Sequence, residues 1–291
     1  MAEPQIVSIA SKQLSATVSG LGAELQRLHT SSGVELLWDG NPAFWAGRSP
    51  LLFPIVGNAR NDRITVGGKT YPLSRHGFAR TSTFELVEAQ PSRCLWRLRP
   101  NEETRARYPF AFRLDVAYAL DGDRLTLSAV VANEGDGPMP ASFGFHPAFR
   151  WPLQPGLSRE QHEVRFEKPE PEPIRRPTAD GLLSEAMSSP VEGNRLVLAD
   201  SLFTKGALVW DRLQSRSLTY GAPSGPLLRL DFPDMPHLGI WTIPGAGYVC
   251  LEPWQGFASP AGFDGELADK PGIVSIAPGA ARAFELVVTV A

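Results

Sequence analysis

Cysteine is scarce in this chain, with two in 291 residues. Cys94 and Cys250 lie far apart and form no C-x-x-C pair, so a structural zinc site of the usual spacing has no support. A cytosolic setting favours two buried thiols over one bridge. Long apolar runs are missing as well. No stretch of 18 apolar residues occurs, which excludes a membrane-spanning helix. The N-terminal Met-Ala-Glu-Pro-Gln has no basic start followed by an apolar run, so no secretory signal is expected and the protein reads as cytoplasmic. Basic excess is absent: 28 Lys and Arg stand against 31 Asp and Glu, a formal charge of −3. That balance argues against a nucleic-acid surface. No long segment sustains a helical period, and no Gly-x-Ser-x-Gly elbow marks a hydrolase. The five histidines are too widely separated in sequence for a metal site of the cupin kind.

What remains is a chain of short strands. Hydrophobic residues make up 43%, enough for a sizeable core, and the 27 Gly and 27 Pro are scattered as turns. Strands are predicted at 5–10, 14–19, 23–29 and 34–38, and a hairpin around Gly67-Gly68. The clearest hairpin alternates Leu114, Val116, Tyr118 and Leu120 with Leu125, Leu127, Ala129 and Val131 about Asp121-Gly122-Asp123. Residues 154–190, rich in proline and charge, read as a long surface excursion with one strand near 162–167, and His162 within it is expected to be exposed. Strands resume at 195–198 and continue to the C-terminus. The expectation is all-β: one domain over 1–291, built from two large antiparallel sheets packed face to face, because a single open sheet of so many strands would curl and leave edges bare.

Four stretches place polar groups in apolar surroundings. In Gly47-Arg48-Ser49-Pro50-Leu51-Leu52-Phe53-Pro54-Ile55-Val56-Gly57 an arginine enters an apolar run; its plain alternative is a head group in water at the mouth of a buried strand. In Arg75-His76-Gly77-Phe78-Ala79-Arg80 two guanidiniums flank an imidazole and favour its neutral form. Ser142-Phe143-Gly144-Phe145-His146-Pro147-Ala148-Phe149 read with a period of two puts Phe143, Phe145 and Pro147 on one face. The opposite face holds His146 among small side chains that leave room against the ring. In Tyr248-Val249-Cys250-Leu251-Glu252-Pro253-Trp254, Glu252 shares a face with Tyr248 and Cys250. A carboxylate on an apolar strand needs partners, and desolvation would make it a stronger base. Trp254 offers a flat apolar face to a sugar ring. The alternatives are a core histidine on a carbonyl and an interstrand salt bridge.

Together, and in this order, these stretches resemble the aldose 1-epimerase (galactose mutarotase-like) superfamily, from about Trp38 to Trp254. The resemblance implies a β-supersandwich and an isomerase that interconverts the α and β anomers of a hexose or hexose 6-phosphate. By match to the family motifs, Glu252 is the base, His146 the acid, and His76 orients the sugar. The acid and base are expected to face each other across a gap the width of a pyranose. No metal or organic cofactor is implied; the partner is a small sugar or sugar phosphate. Asp200 resembles the family's sugar-hydroxyl-binding aspartate. Arg63 falls where a sugar-binding arginine is expected, although Gly57-Asn58-Ala59-Arg60-Asn61-Asp62-Arg63-Ile64 is one residue longer than the family text. Arg48 and Arg80 resemble the phosphate-gripping arginines of the glucose-6-phosphate 1-epimerase branch, with Ser49-Pro50 where glycines are usual. A different class of function, a non-catalytic carbohydrate-binding β-sandwich, would keep Trp254 and the arginines without requiring both His146 and Glu252.

Overall fold

A computed structural model describes residues 3–291. Two large sheets form its frame. Nine strands run in the order Arg195–Val197, Glu163–Phe166, Ser217–Gly221, Leu227–Asp231, Ala281–Val290, Arg124–Asn133, Phe112–Asp121, Arg93–Leu98 and Glu85–Gln90. Six strands make the second sheet: Leu208–Trp210, His237–Trp241, Tyr248–Gln255, Phe143–Phe145 and Leu51–Leu52 in order, with Ala148–Arg150 also paired to Tyr248–Gln255. Their ladders are antiparallel. The predicted hairpin pairs Leu125 with Leu120 and Leu127 with Tyr118 about Gly122, whose φ of +57° suits the turn. Gly67 and Gly68, at φ +58° and +73°, turn the chain between Arg63–Val66 and Lys69–Pro72 as the dipeptide requires. The only α-helix among the described residues is Glu102–Arg105, and no helix is long and apolar enough to cross a membrane.

The core lies between the sheets because each presents an apolar face to the other. Phe143 stacks on Phe284 with ring centroids 5.2 Å apart, and Phe166 meets Trp210 at 5.6 Å. Both cysteines are buried thiols, as the sequence suggests.

Three expectations are corrected. Residues 34–38 form no strand, only isolated bridges such as Leu37 to Phe149. The excursion 154–190 is partly interior: Ile174, Leu182, Leu183 and Glu170 are buried. His162 within it is fully buried, its Nδ1 against the Ser158 carbonyl and its Nε2 accepting the Leu153 amide at 3.0 Å. Local polarity misled here, because a single buried turn can satisfy a histidine completely inside an otherwise polar stretch.

Candidate functional site

All eight residues of Tyr248–Gln255 are buried, yet only one face of this strand meets the core. Val249 and Leu251 pack inward. Tyr248, Cys250, Glu252 and Trp254 alternate onto the other face. Strand pairing sets Gly239 opposite Glu252, Trp241 opposite Cys250, and Gly144 opposite Trp254. The two glycines explain how an indole lies across the sheet: a Cβ on Gly144 would come 2.5 Å from Trp254 Cδ1, and one on Gly239 2.3 Å from Cη2. The ring therefore covers two neighbouring strands, and its buried Nε1 has no hydrogen-bond partner.

His146 reaches this face because Phe143 and Phe145 take the core positions of its own strand. Its Nε2 stands 3.0 Å from a Glu252 carboxylate oxygen, with 6% and 2% of the two residues exposed. Burial drives both groups toward their neutral forms. It pulls the imidazole down to about 3 and lifts the carboxyl well above the usual range, with Arg75 drawing the carboxyl partly back. In its neutral form the carboxyl is placed to donate to Nε2 across this contact. Aromatic rings roof it: Trp45 is tilted over His146 at 5.1 Å between centroids, and Trp241 meets its edge at 6.0 Å.

His76 completes the group, its ring 5.9 Å from that of His146. Its backbone is left-handed, φ +66°, pinned by the Gly57 carbonyl accepting the His76 amide at 2.9 Å. Gly77, also at positive φ, lies against the Phe53 carbonyl where a Cβ would sit 2.2 Å away. The Gly57 amide donates to His76 Nδ1 at 3.0 Å, and Arg75 Nε lies 3.1 Å from Nε2. A neutral imidazole accepts at one nitrogen only. The main-chain amide engages Nδ1, and Nε2 is the nitrogen that faces the exposed Arg75 guanidinium. Burial, then the charges of His146, Arg75 and Arg80, hold this ring well below its ordinary pKa.

His146, Glu252, His76 and Trp254 are therefore brought together; of the other predicted residues, Arg48, Asp200 and Arg63 are not. Arg48 is turned away: its Nε and Nη2 donate to the Asp39 carbonyl at 2.9 and 2.6 Å, and Nη1 donates to Gln26. It fastens the two ends of the loop that carries Trp45. Asp200 has both oxygens engaged, one by Arg159 at 2.6 Å and one by the Gly245 amide at 3.1 Å. Arg63 sits exposed at a strand start and lines a separate cleft with Arg60 and Lys270. Arg80 does lie near, its Nη2 donating to the Arg75 carbonyl at 3.0 Å.

The expected gap between acid and base is also absent. The two groups touch, and the cleft on the His76 and Trp254 side, bounded by Gly57, Arg75, His76, Leu183 and Trp254 and lined by neither His146 nor Glu252, holds about 50 Å³, against roughly 300 Å³ or more for a small-molecule pocket. The sequence reading also missed Trp45, Trp241, Arg75 and Cys250. Phe44-Trp45 inside a Pro- and Gly-bounded loop was a signal, since large aromatics in a turn cover something.

The sequence model for "Aldose 1-epimerase" matches residues 5–180. Protein LacX (plasmid) of Lactococcus lactis subsp. lactis is 34% identical over 283 residues, 94% of this chain and 95% of that protein. A galactose mutarotase related enzyme from Lactobacillus acidophilus superposes with a TM-score of 0.91 at 31% identity, covering 99% of this chain and 97% of that one. A galactose mutarotase-like protein from Lactobacillus casei ATCC 334 gives 0.90 at 30%, covering 99% and 100%.

Proposed function

The chain belongs to the aldose 1-epimerase family, and from that premise we propose that it interconverts the α and β anomers of a hexose by acid–base ring opening. The observation that carries this reading is the buried 3.0 Å contact between His146 and Glu252. The carboxyl proton crosses to His146 as the sugar's C1 hydroxyl approaches the carboxylate. Glu252 removes the hydroxyl proton, His146 gives its proton to the ring oxygen, the C1–O bond to that oxygen breaks, and the C1 carbonyl forms. The pair is then neutral on both sides, the state that burial favours. Rotation about C1–C2 and reversal of the two transfers yield the other anomer. His76, its ring 5.9 Å from that of His146, keeps the sugar in register. Trp254 lies flat along the apolar face of the pyranose.

Sugar entry requires Trp45 to leave the roof. Its loop, residues 39–47, has no regular structure and is largely exposed, the character of a lid. A phosphorylated substrate is a second reading with its own support. Arg75 and Arg80 stand beside His76 with no carboxylate within salt-bridge distance among the described residues, and guanidinium forks suit phosphate.

Polarimetry on freshly dissolved α-glucose, α-galactose and glucose 6-phosphate tests both. Faster mutarotation with at least one is expected, and a preference for the phosphate that Arg80→Ala and Arg75→Ala abolish selects the second reading. Rates equal to the buffer on a broader panel of hexoses and their phosphates would exclude the enzyme and leave a carbohydrate-binding sandwich.

A further inference from the structure

Cys250 takes no part in ring opening, yet it lies at the centre of the same face. Its Sγ, a ring nitrogen of His146 and a Glu252 carboxylate oxygen lie within 4.8 Å of one another. All three residues are buried, and the thiol is unbridged. The fold concentrates what the sequence scatters: Cys250 and Glu252 are two apart on one strand, and His146 comes from the end of its neighbour. The register sets Ala148 opposite Cys250, so no large side chain crowds the sulfur from that strand.

Thiolate, imidazole and carboxylate are the donor types that hold Zn²⁺, and three protein ligands with one open position is its catalytic-type coordination number. A thiolate in the set selects Zn²⁺ and Cd²⁺ over Mg²⁺ and Ca²⁺. Tetrahedral donors at about 2.0–2.3 Å from an ion stand roughly 3.3–3.8 Å apart, so the cluster need contract by little more than 1 Å. Charge also balances. One thiolate and one carboxylate neutralise the dication, which suits a site where lone charges are costly.

We propose that His146, Cys250 and Glu252 form a binding site for Zn²⁺ and chemically similar soft divalent cations, and that an ion held there switches the enzyme off. The switch rests on the acid–base reading of His146 and Glu252. Binding releases two protons, one from the thiol and one from the His146–Glu252 contact, and forms bonds from the metal to sulfur, nitrogen and oxygen. The Nε2 lone pair and the carboxylate oxygen that carry protons during ring opening are then bound to metal.

The test uses Co²⁺ as a spectroscopic probe on the full chain. Wild type is expected to bind one Co²⁺ with a thiolate-to-cobalt charge-transfer band and the intense visible bands of four-coordinate cobalt, both discharged by Zn²⁺. Cys94→Ser should keep the band. Cys250→Ser and Cys250→Ala should lose it, with thermal melts confirming that at least one is folded. In the polarimetric assay Zn²⁺ should lower the wild-type rate at least tenfold, reversibly with EDTA. Each Cys250 variant, compared with its own metal-free rate, should need at least tenfold more Zn²⁺ for the same inhibition. Absence of the charge-transfer band in an active wild type, or its survival in both Cys250 variants, overturns the site. A band without inhibition of an active enzyme overturns the switch. A band in a protein inactive on every sugar keeps the site and rejects the acid–base reading instead.

Discussion

Replacing Glu252 by glutamine should stabilise the protein while disabling it, and the gain should grow with pH. The carboxyl is 2% exposed, and burial raises its pKa well above the usual value near 4.5. The unfolded chain releases this proton above pH 4.5, whereas the folded chain retains it. Wild-type stability from this group is therefore complete below that pH and is lost as pH rises toward the folded pKa. The slope approaches about 1.4 kcal/mol per pH unit, or up to about 3 kcal/mol from pH 5 to pH 7. Glutamine does not titrate, and its amide can still donate to His146 Nε2 across the 3.0 Å contact, so no buried group is orphaned. His146 is present in both proteins and its titration largely cancels. Urea unfolding of wild type and E252Q at pH 5, 6 and 7 measures the difference. The variant should pull ahead as pH rises, with the anomerisation rate down by about two to four orders of magnitude. Parallel stability curves would mean that the folded carboxyl titrates as it does in the unfolded chain, and a neutral Glu252 at rest would be wrong.

Other expectations follow from particular contacts. His237 is buried with its Nδ1 accepting the Gly256 amide, and burial lowers its pKa to about 4. Its share of stability is complete above about pH 6.5 and is lost as pH falls toward 4, about 2 kcal/mol between pH 7 and 5; His237→Gln should remove that acid sensitivity in urea melts. Gly239→Ala puts a methyl group 2.3 Å from Trp254 Cη2, and overpacking of this kind should cost about 1–3 kcal/mol in thermal or urea unfolding and raise KM as the indole tilts. Asp200→Asn should lower stability by under about 1 kcal/mol, since its carboxylate is 43% exposed, and leave kcat/KM within threefold. A large loss of activity there would restore the sugar-binding role that the motif resemblance implies. A sugar-induced change in tryptophan fluorescence should be present in wild type and lost in Trp45→Phe, because the roof must move.

The fold was legible because strands write themselves as alternation. Leu114 to Leu120 and Leu125 to Val131 gave a hairpin whose register the structure reproduces, and Tyr248, Cys250 and Glu252 sharing a face is the same period of two. The four motif stretches likewise carried His76, His146, Glu252 and Trp254 to one face. What alternation cannot encode is which polar side chain finds its partner locally. Arg48 and Asp200 look free in sequence, but Asp39, Gln26, Arg159 and Gly245 engage them through folded contacts. Nor does a motif carry distance. Separate strands suggested a sugar-wide gap, whereas the imidazole and carboxylate meet at 3.0 Å. Trp45 escaped notice because its role depends on a loop folding back over a sheet that is distant in sequence.

The proposed ring opening needs His146 and Glu252 to act as one unit, and exchange between anomeric protons, followed by saturation-transfer NMR on a turned-over sugar, tests that directly. His146→Ala and Glu252→Gln should each abolish most of the exchange, and the double variant should be no slower than the worse single one, because removing either end disables the unit. Rates that fall independently and multiply in the double variant, or stay at the wild-type level in both singles, would contradict it.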